Sequence, residues 1–270
     1  MQELVIKGIQ QIVKSSIKSF ATGLNARYEA DVLNPEGNIN KKRKNIFIKE
    51  LGDDFIFYSA FVRSFDSSFG NMLEGMGRSI AEYSFVVKNE IDSFILPQQE
   101  QHITYMMTQY KNHNTPHIED YTSFVPVMPS DVRSYKRVHN TDNYFYDPKK
   151  KRHIIIELKA GGDLDNKKSE SEKRELLTEY FLLKNKLYQE GKKDETVEIH
   201  FATAYNKNGE GNEWKQERVK QFFAEDELLI GCDYWNFICQ DNEGFNIIME
   251  AYRNASVYLK DAIEYIKGLY

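Results

Sequence analysis

Three consecutive isoleucines, Ile154 to Ile156, run directly into Glu157-Leu158-Lys159, and the chain then leaves through Ala160-Gly161-Gly162-Asp163-Leu164-Asp165. Successive strand side chains alternate faces, so Glu157 and Lys159 stand side by side on one face while Ile154, Ile156 and Leu158 enter the other. A buried strand thus delivers a carboxylate and an ammonium together to its own far end. Upstream, Asp142 heads the strand-like run Asn143-Tyr144-Phe145-Tyr146, and Asp147-Pro148 followed by Lys149-Lys150-Lys151 is the sequence of a tight connection. A hairpin there returns Asp142 to the side of Glu157. Asp147 is the competing carboxylate, but beside Pro148 an aspartate serves backbone geometry, and Asp142 is preferred.

The surrounding pattern gives this hairpin a context. Val5, Ile9, Ile12, Val13, Ile17 and Phe20 recur at helical spacing, which predicts an amphipathic helix from residue 3 to about 22, ending near Gly23. The run from Leu51 to Val62 is ambiguous. A second helix is expected from Asp66 or Ser67 as cap, with Phe69, Met72, Leu73, Met76 and Ile80 as its stripe and Glu74 beside that stripe. Residues 97 to 120 read as a polar insertion, Phe124 to Met128 as a strand, residues 170 to 190 as a charged helix, and Val197 to Tyr205 as a further strand. Residues 216 to 270 read as mostly helical. The expected organisation is a single domain over 1–270, with a mainly helical region at 1–64, a core at 65–215 and a mainly helical region at 216–270.

Composition excludes several classes. An apolar share of 41% with 13% aromatics supports a real core. The net charge of -5 gives no global basic field, yet a nucleic-acid surface needs only a local positive groove. Basic residues cluster at Lys41-Lys42-Arg43-Lys44, at Lys149 to Arg152, and at Lys167-Lys168 with Lys173-Arg174, and each cluster reads first as solvated surface. Cys232 and Cys239 lack a histidine pair at ligand spacing, so free thiols are expected rather than a zinc site or a disulfide framework. No apolar run approaches membrane-spanning length, and a cytoplasmic, unexported protein without membrane contact is expected.

An aspartate followed across a hairpin by Glu-x-Lys resembles the site of the PD-(D/E)xK nucleases, whose core has the order helix, three strands, helix, strand. The resemblance implies an α/β (α+β) fold with a mixed central sheet flanked by helices, here with helical N- and C-terminal additions. Hard oxygen ligands suit Mg²⁺, and Asp142, Glu157 and the Leu158 carbonyl form the expected metal set. Lys159 is expected either to orient or deprotonate the attacking water or to stabilise developing negative charge. Glu74 is a further candidate because many enzymes of this group carry a carboxylate on the first core helix. Asp163 and Asp165 either reach a second metal or cap the following helix.

More narrowly, Ile156 to Asp165 with Lys167-Lys168 and Glu175-Leu176-Leu177, together with Phe201 to Lys207, Leu228 to Gly231 and Tyr234-Trp235, resembles the TdeIII-like type II restriction endonucleases. By implication the substrate is double-stranded DNA, the enzyme is a homodimer, and the target resembles the interrupted palindrome GGNCC. Thr141, rather than proline, precedes Asp142, a departure from the superfamily pattern. Base contacts are expected from Arg133, Lys136 and Arg137 before the hairpin and from Asn206, Lys207 and Asn208 after the last core strand. Two rival expectations are a repair or junction-resolving nuclease of the same superfamily and a nucleic-acid-binding module in which Glu157 and Lys159 form only a structural ion pair.

Overall fold

The computed structural model describes residues 1–132 and 135–269, and of Asn140 and Asp142 the backbone alone. The chain forms two compact units, Met1–Ile80 with Glu243–Tyr270, and Ala81–Asn242.

The first unit is helical. Phe20, Leu24 and Tyr28 continue the helical three- and four-residue spacing of Ile9, Val13 and Ile17, so α1 spans Glu3–Leu33 instead of ending near Gly23. A helix-interior glycine costs about 1 kcal/mol, whereas burying Leu24 and Tyr28 contributes roughly 1.5–3 kcal/mol for a large side chain, so the helix continues. Two short helices follow, α2 (Asn38–Arg43) and α3 (Ile46–Lys49). The Asp31 carboxylate accepts the amide hydrogens of Asn38 and Ile39, and the Asn45 side chain accepts those of Phe47 and Ile48. The next helix, α4 (Asp53–Ala81), takes in the ambiguous run from Leu51 onward and starts well before Asp66. Its Ile56, Phe57 and Ala60 share a core with Leu24, Tyr28, Ile39 and Ile266 of the C-terminal helix Gly244–Lys267.

The second unit carries the sheet. Its elements in order are β1 (Val86–Phe94), α5 (Pro97–Lys111), α6 (Glu119–Thr122), β2 (Lys136–Asp147), β3 (Arg152–Lys159), α7 (Asn166–Gln189), β4 (Thr196–Thr203), α8 (Glu217–Lys220), β5 (Leu228–Ile230) and α9 (Cys232–Cys239). The strands lie in the order β1-β2-β3-β4-β5. β1, β2 and β3 are antiparallel neighbours, while β3, β4 and β5 run parallel. This is a mixed sheet, and helix α7 makes the crossover that a parallel β3–β4 pair requires. Leu176, Leu177, Tyr180 and Leu183 of α7 pack with Ile103, Met106, Met107 and Tyr110 of α5 and with Tyr144, Ile155, Ile199 and Phe201 of the sheet. Both tryptophans belong to this unit: Trp235 donates to the Ala204 carbonyl at 2.7 Å, and Trp214 stacks at a tilt on Phe201. Both cysteines are free thiols.

Two expectations about elements are corrected. Phe124 to Met128 forms no strand; the segment is held at Val127 by the Gln98 side chain, which accepts from the Val127 amide at 3.2 Å and donates to its carbonyl at 2.7 Å. A side-chain amide there substitutes for a neighbouring strand. The first strand is β1, an edge strand whose Glu90 and Asp92 are exposed and break the apolar alternation. Residues 97–111 form a helix with a buried stripe rather than an irregular insertion. Among the described residues no helix is long and apolar enough to cross a membrane.

Candidate active site at the carboxyl end of the third strand

β3 is paired with β4 through its last residue, Lys159 opposite Thr203, and this fixes the strand end that presents Glu157 and Lys159. Ile155, two residues before Glu157, lies in the core beneath α7, so the same face of β3 points toward that helix. There Lys159 Nζ lies 2.6 Å from Glu157 Oε1 and 2.9 Å from Glu172 Oε1, a residue on the first turns of α7. All three side chains remain partly exposed, between 22% and 31%. Burial is the largest single influence on Lys159 and lowers its pKa, but the charges and hydrogen bonds of Glu157 and Glu172 together outweigh it, and the ammonium is held above its ordinary value.

Local devices hold this arrangement. After Lys159 the chain turns at once: the Ala204 amide donates to the carbonyls of both Lys159 and Ala160 at 2.9 Å. Gly162 has φ +68°, a left-handed conformation that favours glycine, and any side chain at Gly161 would collide with the Tyr205 ring. The chain then enters α7 through Asp165, whose carboxylate caps the helix by accepting the Lys168 amide at 2.8 Å. Lys173, next to Glu172, is fully buried, pairs with buried Glu227 and lies 5.1 Å from the ring centres of Tyr121 and Phe223. That buried pair fastens α7 close to the place where Glu172 meets Lys159.

Asp142 lies on β2, and the structure describes its backbone only. The β2–β3 ladder pairs Tyr144 with Ile155, Phe145 with Ile154, Tyr146 with His153 and Asp147 with Arg152. The pair Tyr144–Ile155 is two residues short of Asp142, and the same register continued that far would set Asp142 opposite Glu157. Across the other edge, β1 and β2 change register between Lys88–Tyr144 and Glu90–Asn140, so Asn89 faces the longer segment Thr141-Asp142-Asn143. Such bulges re-aim a side chain locally. Asp147 sits at the opposite end of the hairpin, buried, accepting the amides of Lys149 and Lys150 at 3.0 and 3.2 Å. Five strand residues, about 16 Å at the usual rise, separate the level of Asp147 from that of Glu157.

The remaining candidates are dispersed. Glu74 belongs to α4 in the helical unit. Asp163 is exposed and forms an ion pair with Lys207, which holds the Asp163 carboxyl below its usual range. Lys136 lies 3.7 Å from Asp92, and Arg137 donates to Glu100 at 2.6 Å. Asn206 and Asn208 brace their own loop: the Asn206 side chain donates to the Asn212 carbonyl and accepts the Asn208 amide, and Asn208 accepts the Lys215 amide. Arg133 lies outside the described residues. Glu172 escaped the sequence reading because it sits in a run of charges, Glu170 to Arg174, where helical spacing alone does not single out one carboxylate.

The donor chemistry suits a hard divalent cation: two carboxylates converge on one ammonium at the end of a strand. Among the described residues no three histidine, cysteine or acidic side chains are grouped to hold a metal ion. The described share of such a site is therefore Glu157 and Glu172, and the Asp142 side chain is not among the described atoms.

A comparison with protein families decides the class, because the family model described as type II restriction endonuclease, HinfI, matches residues 6–256. The chain belongs to the HinfI family of type II restriction endonucleases. It is accordingly a site-specific deoxyribonuclease, and the mixed sheet flanked by helices is consistent with a restriction-endonuclease-like fold. The family match covers both compact units, so the helical segments before and after the sheet are part of what the family shares. Nothing among curated proteins or solved structures matches the chain significantly.

Proposed function

We propose that the chain hydrolyses phosphodiester bonds of double-stranded DNA with Mg²⁺ at the carboxyl end of β3, using Asp142, Glu157 and Lys159. The supporting observation is the convergence of Glu157 and Glu172 on Lys159 at the end of β3, where all three side chains keep part of their surface exposed. Asp142, Glu157 and the Leu158 carbonyl would hold the ion, with Glu172 beside them. When bound, Mg²⁺ supplies charge neutralisation at the phosphate and a water of lowered pKa.

Lys159, flanked by two carboxylates and with its pKa raised, stays charged at neutral pH. That favours charge stabilisation and orientation of the attacking water over proton abstraction. Lys207 contacts DNA only after exchanging its Asp163 partner for a phosphate or base edge, an exchange between two anionic or acceptor groups that costs little at an exposed site. Asp163, exposed and paired there, supports the loop rather than the chemistry, and Asp165 acts as the helix cap.

A palindromic duplex cut on both strands calls for two symmetric sites, and a two-fold homodimer supplies them. The resemblance of residues 156–165 to the TdeIII-like enzymes carries the narrower proposal, a target like GGNCC cut by a cytoplasmic enzyme of a restriction-modification system. Incubating the purified chain with phage DNA and Mg²⁺ and sequencing the fragment ends tests all of this. Discrete fragments with one shared end sequence are expected. Cuts confined to branched or damaged DNA would replace the proposal with a junction-resolving activity, and intact DNA would end it.

A further inference from the structure

The helical unit holds a cavity of about 720 Å³ that the chemistry at β3 does not use. Its lining combines Arg27 of α1, Lys41 and Lys42 of α2 and Arg63 of α4 with hydroxyl and amide side chains, and no carboxylate lines it. Arg27 donates to Ser64 at 3.3 Å and to Ser68 at 2.5 Å, and Lys42 donates to Ser59 at 2.8 Å. None of the four cations forms an ion pair with a carboxylate among the described residues. Two acids that lie between Arg27 and Lys41 in sequence are otherwise engaged: Asp31 accepts the Asn38 and Ile39 amides, and Glu36 pairs with Lys44 at 2.6 Å.

Four positive charges gathered around one concavity repel one another, and neutral serine oxygens only partly offset that repulsion. The arrangement is relieved by an anion with several acceptor oxygens, and the arginine fork of Arg27, already oriented by two serines, suits a phosphate. We infer that this pocket seats backbone phosphates of duplex DNA, a positioning contact without base readout that lies in the helical unit. The inference rests on the proposed DNA substrate. Its chemistry, a phosphate group, is shared by free inorganic phosphate, and the test separates the two.

The experiment measures affinity of the full chain for a labelled duplex of arbitrary sequence, in Ca²⁺ without turnover, at a series of salt concentrations. Lys41 and Arg63 are exposed, so the variant Lys41→Gln/Arg63→Gln keeps the fold. Each lost phosphate contact lowers the slope of log affinity against log salt by about 0.9, so the double variant should lose about 1.8. Affinity should fall equally for cognate and altered sequences. The control Lys260→Gln/Lys267→Gln, two exposed lysines of the C-terminal helix, should leave the slope unchanged. An unchanged slope in the pocket variant overturns the inference, as does a pocket that titrates with millimolar inorganic phosphate while duplex binding ignores the mutations. Cleavage by the unmodified chain is read separately in Mg²⁺, so loss of the nuclease reading with an intact slope effect leaves the pocket standing, and the converse removes the pocket alone.

Discussion

The strand end that carries Lys159 and the pocket of the helical unit treat positive charge in opposite ways. Around the sheet, cations are matched: Lys159 with Glu157 and Glu172, Lys207 with Asp163, Arg137 with Glu100, Lys136 with Asp92. In the pocket, Arg27 and Lys42 have serines for partners, and no carboxylate lines the wall beside Lys41 and Arg63. A reaction centre needs its ions held in fixed geometry before substrate arrives, and matched charges provide that. A phosphate seat needs charge that is still unsatisfied. On the two proposals above, the difference separates residues that would perform chemistry from residues that would hold the duplex, a distinction that a cluster of lysines in a sequence does not make.

The comparison breaks most easily at the strand end. Glu157→Ala and Lys159→Ala should each lower cleavage by roughly a thousandfold or more, the scale of losing a group that acts on the reacting atoms, while melting and duplex binding stay near those of the unmodified chain. Turnover within tenfold of normal in either variant would remove the site from β3.

The two aspartates of the hairpin should separate next. Asp142→Asn is expected to match the loss in Glu157→Ala, whereas Asp147→Asn should cut normally, because Asp147 secures a turn at the far end of the strand. Asp147→Ala should cost about 1–2 kcal/mol of stability through two lost turn hydrogen bonds and no activity. A dead Asp147→Asn enzyme with an active Asp142→Asn one reverses the assignment.

Glu172→Gln should lower the rate roughly ten- to hundredfold, the kinetic equivalent of weakening one charge-assisted bond worth about 1.5–3 kcal/mol. With one of its two carboxylates neutralised, Lys159 should titrate at lower pH, and the pH–rate profile of the variant should decline earlier on its alkaline side. An unshifted profile would make Glu172 a bystander.

Between the two regions, Lys207→Ala is expected to reduce discrimination between cognate and one-base-altered duplexes by about 1–3 kcal/mol, while Lys42→Ala weakens both duplexes alike. Equal losses in Lys207→Ala would move that residue to the phosphate-holding group and erase the distinction drawn above.

The smallest effect concerns a buried network at the opposite end of β3 from Lys159. His153 lies between Tyr144, 2.7 Å from Nδ1, and Glu195, 2.6 Å from Nε2, and burial pushes its pKa below the usual value although Glu195 opposes the shift. A histidine whose folded pKa is depressed contributes stability above its unfolded value of about 6.5, and that contribution is lost as pH falls through the folded value. Denaturant midpoints should therefore drop between pH 7.5 and 5.5, and His153→Gln should flatten the trend. A trend that steepens in the variant would contradict the sign.

The strand end was legible because strand alternation is a strong local rule: Ile154 to Lys159 form the strand, and Glu157 and Lys159 share its face. Asp165 as a helix cap was legible for the same reason, since capping chemistry is local. What escaped depended on partners distant in sequence. β1 hid behind exposed Glu90 and Asp92, tolerated because an edge strand has one open side. Phe124 to Met128 reads as a strand from its apolar and β-branched residues, but no neighbouring strand pairs with it, and the Gln98 side chain takes up the hydrogen bonds of Val127. The helix at 97–111 was missed despite a readable stripe, Ile103, Met106, Met107 and Tyr110, masked by its polar neighbours. Glu172 and the Arg27–Arg63 pocket needed the fold itself, since each gathers side chains that no spacing connects.

The placement of the two tryptophans gives the molecule a built-in optical asymmetry. Trp214 and Trp235 both lie between Ala81 and Asn242, and Trp214 stands against Gly162, three residues past the end of β3. Indole emission therefore reports the sheet-bearing unit alone, while far-ultraviolet circular dichroism is dominated by helices in both. Melting the chain while recording the two signals together shows whether the sheet-bearing unit unfolds with the bulk of the helices or apart from them, and a shift of indole emission on adding Mg²⁺ or duplex registers a change within the sheet-bearing unit.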